Sequence, residues 1–135
     1  MHDVALIVAG SLALLGAAIH GVGGQMLVVR NLSPETLPPS RFGGPRTTMS
    51  MIHITWHMTT VGFVTVGVSL LLAGSVLDGD TARGVGVVAA AAATGFAAIS
   101  IGLGVANSRS ARGLLRHPAP ALLTTTALLA WLGSL

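Results

Sequence analysis

His20, and His53 and His57 one helical turn apart, lie inside stretches of this chain that are otherwise apolar. An imidazole changes charge near neutral pH, donates or accepts through two distinct nitrogens, and ligates transition metals. An ionisable group at membrane depth is costly and marks a functional site by default. Counted back from Val29, His20 lies about nine residues inside its segment, and His57 lies about nine residues beyond Thr48 in the next. At about 1.5 Å per residue both sit roughly 13 Å from that edge, with Gln25 and His53 at roughly 6–7 Å. His53, His57 and Thr60 share one helical face, since residues three and four apart stack on a helix.

Three chemistries fit these residues. Two His at matching depth on facing helices, His20 and His57, are the arrangement that ligates a b-type haem axially. Gly21, Gly23 and Gly24 would then leave room for the flat macrocycle, and His53 and Gln25 would stand nearby. Alternatively, His20, His53 and His57 could hold a single transition-metal ion, for which imidazole is a suitable ligand. The plainest reading is that the same side chains hydrogen-bond across two helices and hold them together, a modest contribution of about 0.6 kcal/mol per bond in membranes. No Asp or Glu lies within an apolar segment and the chain has no Cys. This removes thiolate sites, thiol nucleophiles, and the carboxylates of di-iron or zinc-hydrolase centres, and leaves Ser and Thr without a base–carboxylate partner.

The elements that must position these residues follow from composition. Only 8% of the 135 residues are charged, against 52% hydrophobic; a soluble domain carries about 25% charged residues. A single all-α integral membrane domain spanning 1–135 is expected. Spanning helices need roughly 20 mostly apolar residues, and four segments qualify: 4–29, 48–77, 84–106 and a short 119–134. Pro118 and Pro120 stand at the start of the last, where a first-turn proline loses no helical bond. The first segment lacks a basic n-region and is longer than a signal-peptide core, so a retained helix is expected.

Six of the seven Arg fall in two connections. Arg30, Arg41 and Arg46 belong to 30–47, and Arg109, Arg112 and Arg116 to 107–118; Asp78-Gly79-Asp80 forms the opposite turn with Arg83 close by. The basic balance therefore reads as a topology signal and not as a nucleic-acid surface. The positive-inside rule places loops 30–47 and 107–118 in the cytoplasm and both termini outside. That gives an antiparallel four-transmembrane-helix bundle, and the Ala, Gly, Val and Arg bias without Lys suggests a bacterial inner membrane.

In lipid, helices associate through close backbone approach, so small residues should mark contacts. The expected contact residues are Ala17 and Gly21 in the first span and Gly62 and Gly67 in the second. In the third span the stripe is Ala91, Gly95, Ala98, Gly102 and Ala106, which could also serve a dimer. Thr124, Thr125 and Thr126 should satisfy themselves on the backbone, Trp131 should lie near the outer interface, and His117 should be solvated.

The function expected from these features is that of a small non-enzymatic accessory or structural subunit with an intramembrane His cluster. Its partners would be the lipid bilayer, other membrane subunits or a second copy. The competing expectations are a redox protein carrying haem b or one transition metal, and a proton or small-ion transporter.

Overall fold

The computed structural model describes residues 2–108 and 117–135. Helix α1 (His2–Ala18) continues without interruption into a π-helical segment, Ile19–Gly24, and a last α-turn, Gln25–Leu27. Helices α2 (Pro45–Ser75), α3 (Gly79–Ser108) and α4 (Ala119–Ser134) follow. No strand occurs among the described residues. Arg109, Arg112 and Arg116 lie outside them.

The helix ends differ from the sequence expectation for local reasons. Helix α2 starts at Pro45 instead of 48 because proline at the first helical position gives up an N–H that has no intrahelical partner. Helix α3 starts at Gly79 instead of 84: Gly79 takes a positive φ of 57°, open to glycine at no steric cost. Asp80 in the first turn complements the helix dipole. The π segment was not anticipated. Its sequence is Ile19-His20-Gly21-Val22-Gly23-Gly24, and three glycines in six residues weaken the α-helical preference.

Three helices, Val4–Asn31, Pro45–Ser75 and Gly79–Asn107, are long and apolar enough to cross a membrane; Ala119–Ser134 is apolar but shorter. Large apolar side chains face outward on every helix, among them Leu15, Val61, Val88, Leu103 and Leu132. So extensive an exposed apolar surface marks contact with lipid.

Inside, the helices run antiparallel in sequence. Gly10 lies against Gly67, Gly21 against Thr60, and Gly24 against Trp56. Helix α4 packs along α1 and α3, with Gly16 meeting Leu122 and Gly86 meeting Ser134. The core between them is small: Leu6, Ala9 and Ala13 from α1; Val66, Leu70 and Ala73 from α2; Ala89, Ala90 and Ala93 from α3; Ala127 and Ala130 from α4. Small side chains let the backbones approach, which is how helices associate where lipid cancels the hydrophobic gain. A Cβ on Gly67 would stand 2.8 Å from Leu14 and 3.0 Å from the Gly10 carbonyl, so at this pair the α1 and α2 backbones pack directly on one another.

The expected small-residue stripe on α3 is corrected. Ala91, Gly95, Ala98, Gly102 and Ala106 are exposed, and the buried face is Gly86, Ala89, Ala90, Ala93 and Ala97. Residues 89–93 are all alanine, so small stripes run down more than one side of this helix. The bulky neighbours decide between them: Val85 and Phe96 pack onto the core and turn their own side inward.

The connection between α1 and α2 is ordered by short polar links. Asn31 Nδ2 donates to the Leu27 carbonyl at 3.0 Å, and Thr48 Oγ1 donates to the Pro38 carbonyl at 2.8 Å. The Ser33 hydroxyl donates to the Glu35 carboxylate and holds that carboxyl below its ordinary pKa. At its far end a turn closed from Gly43 N to Ser40 O at 3.3 Å presents Arg41 and Phe42, the latter 85% exposed.

Candidate functional site

His20 sits on the π segment, and its partner is Trp56. The two rings stack with centroids 4.1 Å apart and planes 12° from parallel. Each ring also bonds to the other residue's backbone: Trp56 Nε1 donates to the His20 carbonyl at 3.1 Å, and His20 Nε2 meets the Trp56 carbonyl at 3.3 Å. A carbonyl only accepts, so the proton is on Nε2 and Nδ1 carries a lone pair. The Trp56 carbonyl takes a second donor, Thr60 Oγ1, at 3.2 Å. Phe63 meets the His20 ring edge-on at 5.4 Å and Phe96 at 4.7 Å in turn.

The local sequence explains why the indole fits there. A Cβ on Gly24 would clash with the edge of the Trp56 ring, and one on Gly21 would stand 2.7 Å from the Thr60 methyl. The glycines that, read from sequence, left room for a macrocycle instead admit Trp56 and Thr60. A flat aromatic group does occupy the notch, and it belongs to the chain itself. Around Gly23 the space is open, with no atom of the described residues within 4 Å of a built Cβ.

His53 and His57 stand elsewhere. They line a shallow depression on the outer side of α2 with Ile54, Met58 and Val61, and His57 is exposed. Among the described residues no group of three or more His, Asp or Glu stands close enough to hold a metal ion. The expectation that His20, His53 and His57 gather round one ion is therefore not met. Depth matched as expected, but the rotation of α2 aims Trp56 at α1 and turns His53 and His57 away. Gln25 is the fourth residue singled out from sequence. It makes no bond to His53, and its Oε1 is buried without a hydrogen-bond partner among the described residues.

A cavity of about 400 Å³ adjoins the His20–Trp56 pair, lined from all four helices. Its walls are mostly apolar and aromatic, including Trp56, Phe63, Phe96, Leu122 and Leu123, while His20, Thr59, Ser100 and His117 supply polar atoms. His117 had been read as solvated. It is exposed, but its Nδ1 accepts the Ala119 N–H at 3.2 Å at the start of α4. The signal was present in His117-Pro118-Ala119-Pro120, a polar side chain just ahead of a proline-started helix. Nothing in the spacing of Ser100, Phe63 or Phe96 marks them in advance.

Trp131 is pinned by a bond from Nε1 to Thr94 Oγ1 at 3.0 Å, and buried Thr126 bonds back to the Leu122 carbonyl at 2.9 Å. Comparison of the chain with protein-family models, with curated proteins and with solved structures gives no match.

Proposed function

We propose that this chain is a small, non-enzymatic, multi-pass membrane protein of an accessory or structural kind, in which His20 docks the first helix onto the second. The observation that carries this is the reciprocal His20–Trp56 pair, two rings stacked and each bonded to the other's backbone. A side chain stacked face to face and bonded through Nε2 has its ring position set by packing. The four apolar helices are all read as spans, with both termini outside and the 30–47 loop in the cytoplasm of a bacterial cell.

Helix lengths support a particular placement in the bilayer. Helix α4 has 16 residues and α2 has 31, about 24 Å and about 46 Å long, against a hydrocarbon layer of about 30 Å. Counted from Ser75, His57 lies about 27 Å along α2 and His53 about 33 Å. The layer then runs from the acidic turn to the level of His20 and His57. The outward-facing imidazoles lie at its boundary, where headgroups and water solvate them, and need no ligand to explain them. The first half of α2, which carries Arg46, Thr47, Thr48 and Ser50, projects beyond it.

Absorption spectra of the oxidised and dithionite-reduced protein, with metal analysis, test this reading. The expected result is no Soret band and no stoichiometric metal. A reducible haem spectrum lost in both His20→Ala and His57→Ala would replace it with the redox reading. Proton flux into liposomes that vanishes in His57→Ala would replace it with the transporter reading.

A further inference from the structure

The cavity beside Trp56 has a polar level and an apolar depth. His20, Ser100 and His117 line it, and the His20 level is the one placed at the hydrocarbon boundary; Gly16, Phe63, Phe96, Leu122 and Leu123 line the same cavity. Gly16 packs at Leu122, four residues and roughly 6 Å from His20 towards the bilayer interior. A volume of about 400 Å³ falls within the range of about 300–1,000 Å³ for small-molecule sites, which are mostly apolar with a few placed polar groups.

The protonation pattern of those groups follows from their bonds. His117 Nδ1 accepts from Ala119 N–H, so in the neutral ring the proton is on Nε2, a donor. His20 gives its Nε2 proton to the Trp56 carbonyl, which leaves Nδ1 an acceptor. The Ser100 hydroxyl, which makes no hydrogen bond among the described residues, can serve as either. One wall is aromatic, formed by Trp56, Phe63 and Phe96. Opposite the open Gly23, a ligand meets no Cβ.

We propose that this cavity binds a neutral quinone- or quinol-type ring carried on an apolar chain. The ring lies against the aromatic wall, its oxygens take donors from His117 and Ser100 or give a hydroxyl proton to His20, and the chain runs towards Leu122 and Leu123. A flat ring with oxygens at its rim uses both the aromatic wall and the mixed donor–acceptor set. A plain acyl chain uses neither. The proposal goes beyond the accessory reading and rests only on the insertion of the bundle in a bilayer.

The chain has two tryptophans, Trp56 and Trp131. In a Trp131→Phe background the remaining indole borders the cavity and reports its occupancy, since quinones quench tryptophan emission. The intact protein in detergent is titrated with decylbenzoquinone, and with n-decanol as the chain-only control. Saturable quenching is expected, with decanol failing to relieve it. In Gly23→Leu, where the new side chain enters open space, the apparent affinity should fall at least tenfold. Ser100→Leu narrows the same cavity from α3 and should do likewise, which covers the case in which the first variant does not fold. Quenching that rises linearly without saturation, that keeps the parent affinity in both filled variants, or that decanol displaces, would overturn the proposal.

Discussion

At the scale of single residues, the consequential feature is a notch cut by glycine for an indole. Gly24 and Gly23 are neighbours of the same type with opposite surroundings: Trp56 fills the space at Gly24, and none of the described residues fills it at Gly23. Overpacking a filled site costs typically about 1–3 kcal/mol. Gly24→Val should therefore lower the thermal midpoint in detergent by that order, while Gly23→Ala should leave it nearly unchanged; Trp56 emission reports both transitions. Gln25 gives a second contrast. Its buried Oε1 lacks a partner among the described residues, and an unsatisfied buried acceptor costs about 1–3 kcal/mol. Gln25→Leu should be neutral or stabilising in the same melt, and a clear loss would show that the amide has a partner. The sequence singled out His20, since an imidazole in an apolar run is conspicuous. It did not single out Trp56 as its partner, because matching depth on two helices leaves rotation about each axis free. His57 and Trp56 are adjacent in sequence, and a turn of about 100° exchanges which one faces α1.

At the scale of the helix, apolar length and turn residues located all four elements to within about five residues, and the proline and glycine at their starts account for the shifts. The π segment was not legible, because glycine permits several backbone geometries and tertiary contacts select one. Glycine spacing on α2 did mark real contacts. Gly67 meets Leu14 and the Gly10 carbonyl, whereas Gly62 meets only the far edge of the Phe96 ring, 2.9 Å from a built Cβ. Backbone cannot retreat as a ring can. Gly67→Ala should consequently destabilise the α1–α2 pair more than Gly62→Ala, with the difference read as a lower melting midpoint and faster amide exchange in α1. On α3 the run of five alanines defeated the same reasoning, since small size on every side carries no direction.

At the scale of the whole molecule, the apolar surface and the arginine distribution together define how the bundle should stand in a bilayer. The chain has no cysteine, so any introduced thiol is unique. Phe42→Cys lies at an exposed turn of the long loop and Asp80→Cys at the opposite end of the bundle. In intact bacterial cells, a membrane-impermeant maleimide should label the second and reach the first only after lysis. The reverse pattern would invert the orientation, and labelling of both would contradict the single span, α2, placed between the two positions. The sequence already marked the last segment as short; the structure adds that α2 and α3, at 31 and 30 residues, are nearly twice the 16 of α4.

The claim on which the functional reading turns is that His20 is spent on Trp56. A double-mutant cycle with His20→Ala, Trp56→Ala and the double variant, measured by reversible unfolding in detergent, addresses it directly. Both hydrogen bonds end on backbone carbonyls that survive truncation of the partner side chain, so the cycle reads the ring stack, and a coupling energy of about 0.5–1.5 kcal/mol is expected. Additivity within about 0.5 kcal/mol would show that the two side chains do not depend on one another, and His20 would again be open to a haem iron or metal ion.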